Sequence, residues 1–312
     1  MPRTKFLITG ATGDTGGYTV RQLLEKNQAV RVLAHRPDDR SEQLRKAGAE
    51  VVFGDLLDFD SLRAALSGVQ RAYFCYPISP GLVQATAQFA QAAKEAGVEV
   101  IVNMSQISAR GDSKSNAARQ HWLSERVFDW SGVPTVHLRP TFFAEWLLYL
   151  APMIRQGKIF APFTTTGRHA PVAAEDQARV IVAILQNPTA HVGKTYPLFG
   201  PVELTLPEIA AIISRVIGKE VTYQQVPIEQ FAEIYRGNPK RPAQNTAVAM
   251  YGDKGAPSGG SAKTFLMQHL HEVAIDHSNG IFAGTNNYIA EIGGRPPMTV
   301  EAFVNRNREA FV

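Results

Sequence analysis

Lys5-Phe6-Leu7-Ile8-Thr9-Gly10-Ala11-Thr12-Gly13-Asp14-Thr15-Gly16-Gly17 is the stretch on which the reading of this chain turns. Lys5–Thr9 has the short apolar content of a strand, and the residues from Tyr18 to Lys26 repeat with helical spacing. Between them stand glycines at positions 10, 13 and 16. Glycine permits a tight turn and a close approach of backbone to ligand, and a newly begun helix leaves its first N–H groups unpaired. Together these features make an anion site suited to a pyrophosphate. The G-x-x-G-x-x-G pattern carries little weight alone. Here it follows a strand, precedes a helix and opens a repeating β-α pattern, so it predicts a dinucleotide-binding turn built from Gly10, Thr12, Gly13, Asp14, Thr15 and Gly16.

Outward from that turn, short β-rich runs alternate with helical patterns. Further strands are expected at Val30–His35, Val51–Phe53, Ala72–Tyr76, Val98–Met104 and Thr135–Arg139. Helices are expected at Ser41–Ala47, Ser61–Leu66, Leu82–Ala96 and Ala117–Trp130. Runs such as Tyr73-Phe74 and Ile101-Val102 are apolar on both faces, as buried parallel strands should be. The expected fold class is α/β, a Rossmann-type doubly wound parallel sheet over residues 1–140. After about Thr141 the rhythm breaks into helical stretches (Phe142–Gln156, Ala174–Gln186, Leu206–Ile217, Ile228–Tyr235) and isolated strands (Thr195–Leu198, Val221–Val226). Residues 141–312 are expected to form a smaller α/β lobe that closes over the sheet's C-terminal edge and partly returns to the first domain. Residues 252–261 read as a loop, either a surface excursion or a lid.

Composition narrows the function. Hydrophobic residues make up 45% and charged residues 19%, and the net charge is +4 with acids and bases interleaved. No basic block points to nucleic acid. Cys75 is the only cysteine, which suits a reducing compartment. The apolar run Phe6-Leu7-Ile8 is too short for a signal peptide, and Phe142–Ile154 contains Glu145 and falls short of a span. A soluble cytoplasmic protein without membrane or nucleic-acid partners is expected, as homodimer or monomer. The histidines show no metal-ligand spacing, so no metal is expected.

The end of the second strand bears on cofactor choice. A carboxylate about 20 residues past the glycines would hold a ribose 2′-hydroxyl. Counting from Gly16, that position is Arg36, preceded by His35, and a guanidinium there can grip a 2′-phosphate. NADP(H) is therefore expected in preference to NAD(H).

Gly54-Asp55-Leu56-Leu57-Asp58, after the third strand, resembles the short-chain dehydrogenase/reductase superfamily. That resemblance implies that Asp55, with Leu56 beside it, contacts the adenine, and that Tyr76-Pro77-Ile78 runs beside the ribose and nicotinamide. Most of that superfamily carries Tyr-x-x-x-Lys after the fifth strand, yet none of the nine tyrosines here has a lysine four residues later. The stretch instead reads His121-Trp122-Leu123-Ser124-Glu125-Arg126, with Glu125 in the lysine's place. With the glycine turn, His137-Leu138-Arg139-Pro140 and Gly294-Arg295-Pro296-Pro297-Met298, this pattern resembles the NmrA-like branch of atypical members over nearly the whole chain. The branch includes quinone oxidoreductases, triphenylmethane-dye reductases and cofactor-binding regulators without turnover.

Hydride transfer to a quinone or dye needs mainly a bound nicotinamide facing a stacked planar acceptor. Phe142, Phe143 and Trp146, with Phe163 beyond, either line that acceptor's site or form the interlobe core. Ile78 and His121 would also face the acceptor. His121 is a candidate proton donor because histidine titrates near neutrality, and Ser105 is a candidate hydrogen-bond donor to acceptor or ribose. The expected activity is NADPH-dependent reduction of an aromatic or quinone-like small molecule. The alternative is a non-catalytic NADP(H) sensor that binds a protein partner.

Overall fold

A computed structural model describes residues 5–236 and 262–312, so the 252–261 loop lies outside the described residues. The strands are β1 (Lys5–Ile8), β2 (Ala29–Ala34), β3 (Glu50–Phe53), β4 (Arg71–Phe74), β5 (Val100–Met104), β6 (Thr135–Pro140), β7 (Lys158–Ala161), β8 (Thr195–Leu198) and β9 (Thr222–Gln225). Seven form one sheet in the order β3-β2-β1-β4-β5-β6-β8, and β7 pairs with β9 in a second. Every pairing is parallel, with Phe6 opposite both Val30 and Arg71 at the centre of the large sheet. Strands β1, β4 and β5 expose no residue, because helices cover both of their faces.

The helices of the first half are α1 (Asp14–Glu25), α2 (Asp39–Lys46), α3 (Phe59–Leu66), α4 (Leu82–Glu95) and α5 (Asn116–Ser131). Then follow α6 (Trp146–Tyr149), α7 (Ala151–Ile154), α8 (Ala174–Gln186), α9 (Leu206–Ile217) and α10 (Ile228–Arg236). Last come α11 (Ala262–Ser278), α12 (Tyr288–Gly293), α13 (Val300–Arg306) and α14 (Arg308–Phe311). Among the described residues no helix is long and apolar enough to cross a membrane.

One face of the large sheet buries Phe6, Ile8 and Val102 against Val20 and Leu23 of α1 and Ile181 and Leu185 of α8. The other buries Leu7, Phe74 and Ile101 against α3, α4 and α5, where Phe74, Phe89 and Phe128 pack with ring centroids 4.9–6.5 Å apart. Each such ring taken from water contributes about 1.5–3 kcal/mol. A third core, around Leu147, Ile159, Ile213, Phe231 and Phe303, belongs to the lobe.

The chain after Thr141 divides between the two bodies. Thr195–Leu198 is not an isolated strand: it is the seventh strand of the large sheet, with Leu138 opposite Tyr196, and α8 packs on α1. The expected continuous helix Phe142–Gln156 is broken. Phe143 bridges to Val172, two four-residue helices follow, and Gly157 takes φ +79. Pro152, at the start of α7, has no N–H to continue a helical ladder, so the break falls there. Lys158–Ala161, short and lysine-led, gives a weak strand signal and finds its place only by pairing with β9.

Strand order reverses at β1, so the connections after β1 and β4 leave toward opposite faces. A crevice opens between them at the carboxyl ends of the strands.

Candidate active site

A cavity of about 430 Å³ occupies that crevice. Its walls follow strand ends in turn: Gly10 after β1, His35 after β2, Gly54 after β3, Tyr76 after β4, Ser105 after β5 and Thr141 after β6. The lobe closes the far side with residues of α6, α10 and α11.

The glycine turn is built by close contact. Gly10 takes φ +61, a conformation side-chain-bearing residues avoid, and its carbonyl accepts the N–H of Gly13 at 3.0 Å. Helix α1 starts at Asp14 with Gly13 as a cap lacking any side-chain hydrogen bond, so its first N–H groups are left for the cleft. A Cβ on Gly16 would stand 2.3 Å from the Gly10 carbonyl oxygen, and no side chain fits there. Thr12, Gly13, Asp14, Thr15 and Gly16 all line the cavity. The Thr15 hydroxyl is buried without a partner among the described residues. The Asp14 carboxylate, by contrast, is engaged: it accepts the Tyr149 hydroxyl at 2.9 Å, tying α6 to the turn.

At one end of the cavity His35 and Arg36 are both exposed, and Leu56 forms part of the floor. Arg36 forms no ion pair among the described residues, whereas Arg40 beside it is held by Asp38 at 2.6 Å. Asp38 also accepts the Ser41 N–H and begins α2. Asp55 does not line the cavity. Its Oδ1 accepts the Leu57 N–H at 2.8 Å, the short-range bond an aspartate makes in a turn, and its Oδ2 lies 3.8 Å from His35.

At the other end stand Tyr76, Pro77, Ile78, Ser105, Gln106 and His121, with Phe142, Phe143 and Trp146 opposite. The Tyr76 hydroxyl donates to the Pro80 carbonyl at 3.0 Å. The Ser105 hydroxyl and His121 Nδ1 are buried without hydrogen-bond partners among the described residues. Burial, reinforced by neighbouring His269, lowers the His121 pKa to about 4, although Glu125 acts in the opposite sense. The expectation of a neutral-range histidine is therefore corrected: His121 is an uncharged imidazole at neutral pH. Glu125 does not line the cavity. It is fully buried and receives Arg139 through two bonds, Nε to Oε1 at 2.8 Å and Nη2 to Oε2 at 2.5 Å.

The aromatic cluster packs into the lobe's core and in part borders the cavity. Phe142 meets Trp146 at 5.5 Å, Phe163 at 5.1 Å and Phe282 at 4.6 Å between ring centroids, and it borders the cavity as well. Phe163 does not line the cavity: it is buried behind Phe142, its carbonyl held by the Tyr223 hydroxyl.

Several wall residues escape a reading of the sequence. Glu145 accepts the Ala174 N–H with both oxygens, at 3.1 and 3.0 Å, and burial pushes its carboxyl up to about 7 with help from Asp14 and Asp176. Helix α11 contributes Leu266, His269, Leu270 and Val273, whose i, i+3, i+4, i+7 spacing marks one face. That spacing was the available signal.

Fold and site together define a dinucleotide-binding α/β protein. The chain belongs to the NmrA-like family, whose model matches residues 2–286. It is 30% identical over 308 residues to the NAD(P)H azoreductase of Xenophilus azovorans, covering 98% of each chain. The structure of the NADPH-dependent quinone oxidoreductase QOR2 of Escherichia coli complexed with NADPH matches with a TM-score of 0.78 at 25% identity, over 97% of this chain and 99% of that one. The fold is shared also with NmrA, a negative transcriptional regulator, in complex with NADP, at a TM-score of 0.75 and 16% identity over 98% and 95% of the two chains.

Proposed function

We propose that this chain is an NADPH-dependent oxidoreductase that reduces a planar, apolar acceptor, quinone-like or dye-like, without a Tyr-Lys pair. The observation that carries this reading is the continuity of the cleft. One cavity runs from Arg36 and the glycine turn to an open apolar wall of Phe142, Phe143 and Trp146. A wall left open there leaves room for an acceptor beside a bound cofactor. The azoreductase and quinone oxidoreductase relatives point the same way, and the regulator shares the fold only.

The side chains fit a dinucleotide: a glycine cradle that a Cβ would fill and, among the described residues, a buried Thr15 hydroxyl without a partner and an Arg36 guanidinium without an ion pair. When bound, the reduced nicotinamide supplies the hydride. The protein holds the pyrophosphate on the first N–H groups of α1, and Arg36 grips a 2′-phosphate. Leu56 packs the adenine end in place of Asp55, while Tyr76, Pro77 and Ile78 flank the ribose and nicotinamide. Ser105 Oγ–H bonds the ribose or the acceptor oxygen. His121 donates an N–H hydrogen bond to the acceptor from a neutral ring, with solvent as the final proton source. The rings of Phe142, Phe143 and Trp146 stack the acceptor and exclude water.

The test is oxidation of NADPH by the purified protein across quinones, azo dyes and triphenylmethane dyes, with NADH in parallel. Turnover with NADPH preferred is expected. Tight NADPH binding with no turnover on any acceptor would overturn the enzyme and move the reading to a cofactor sensor with a protein partner.

A further inference from the structure

Helix α11 turns an otherwise apolar face of Leu266, Leu270 and Val273 into the cavity, and His269 stands in the middle of it. An imidazole in an apolar stripe needs a reason. Here its position is fixed from outside the helix. Ser115, fully buried at the start of α5, has its Oγ 2.7 Å from His269 Nδ1. Gln268 accepts the Asn116 N–H at 3.0 Å and donates to the Lys114 carbonyl at 2.8 Å, and Arg110 holds Asp276 through two bonds at 2.8 and 2.6 Å. Four side-chain links thus lock the face of α11 against the segment that leads into His121.

The Ser115 hydroxyl also decides where the His269 proton sits. Its oxygen already accepts the Ala118 N–H at 3.1 Å as the cap of α5. A buried hydroxyl proton needs an acceptor, and His269 Nδ1 is the one within reach. The ring proton then lies on Nε2, across the ring from Ser115.

We infer that His269 is a specificity-determining residue, a second N–H donor which, with His121, clamps an acceptor carrying two hydrogen-bond-accepting oxygens, and that Ser115 positions it. Two imidazoles on different helices line the same cavity, and the two helices that carry them, α5 and α11, pack directly on each other. Paired donors suit the two carbonyl oxygens of a quinone and offer nothing to a cationic triarylmethane dye, which has no such oxygens. The inference rests on the proposed reductase function and chooses between its two acceptor classes.

The test measures binding of 1,4-naphthoquinone and of malachite green to the complex of the protein with NADP⁺, where no hydride is available. His269→Leu, which suits the apolar face of α11, should weaken naphthoquinone binding about tenfold, the net worth of one lost hydrogen bond. Malachite green and NADPH affinities should stay within about twofold, since neither uses the donor. Ser115→Ala should shift naphthoquinone binding in the same direction, and Ser115→Thr should restore it. Equal losses for both acceptors, or none, would overturn the clamp, as would failure of the native complex to bind naphthoquinone. If the native complex binds naphthoquinone with this dependence on His269 yet never oxidises NADPH, the clamp stands and the reductase reading falls.

Discussion

The two ends of the cleft are made differently. The end at the glycine turn is built from backbone: Gly10, Gly13 and Gly16 lie within seven consecutive residues, and their carbonyls, N–H groups and missing Cβ atoms do the shaping. The other end is built from side chains of segments far apart in the chain: Ser105 and His121 come from the sheet's half, and Phe142, Phe231, His269 and Phe282 from the segments after it. Backbone geometry admits few substitutes, whereas a wall of side chains can change its residues and keep its shape. A family can therefore hold its cofactor site fixed while its acceptors vary.

From that contrast, the largest effect follows at the smallest side chain. Gly16→Val places atoms where a Cβ alone is 2.3 Å from the Gly10 oxygen, so α1 must move off the turn. Dinucleotide binding should be lost in a titration, with overpacking costing about 1–3 kcal/mol of stability as well. Retained affinity would break the claim that backbone contact shapes this end. Arg139→Met comes next, and it probes the buried ion pair behind the cleft. It removes the two-bond partner of the fully buried Glu125 carboxylate and leaves only Arg126 at 3.6 Å, a loss of about 3 kcal/mol in denaturant unfolding. NADPH affinity of the folded fraction should hold, because neither Glu125 nor Arg139 borders the cavity. Arg36→Ala is smaller and more selective. It should weaken NADPH by about 1.5–3 kcal/mol and leave NADH nearly unchanged, and equal losses would remove the 2′-phosphate assignment.

The same contrast explains what could be read from the sequence. The sheet and its turn were readable because each strand–helix unit carries its own periodicity, and the glycines and Arg36 sit at fixed distances from a strand end. Phe163 could be given either role, because an aromatic residue near a site looks the same whether it faces the cavity or stands behind Phe142. Asp55 carries a local role the sequence does not announce, since its carboxylate accepts the Leu57 N–H two residues away. His269 lies nearly 150 positions beyond His121, and only the docking of α11 on α5 makes them neighbours. No local pattern carries that fact. Burial, too, is a property of the folded chain, so the lowered pKa of His121 was hidden as well.

Buried histidines gather in the lobe and where it meets α5, and they set the response to acid there. His169 Nδ1 lies 3.0 Å from His277 Nε2 beside Phe142, and burial, with His277 adding to it, lowers the His169 pKa to about 3. Burial also brings His277 to about 4 and His269 to about 4, matching His121. In the unfolded chain each titrates near 6.5. Above that value both states are neutral and the folded state is fully favoured. As pH falls through 6.5 toward 4, the unfolded chain takes up protons that the folded chain refuses, so stability declines across that window. Each histidine contributes on the order of 1 kcal/mol between about pH 7.5 and about pH 6. Hydrogen exchange at about pH 5.5 should show α11 and its contacts with the lobe opening before β1, β4 and β5, and His277→Gln should flatten the acid limb by about one histidine's share. If the sheet and α11 open together at every pH, the two regions form one cooperative unit, and the difference between them lies in construction alone.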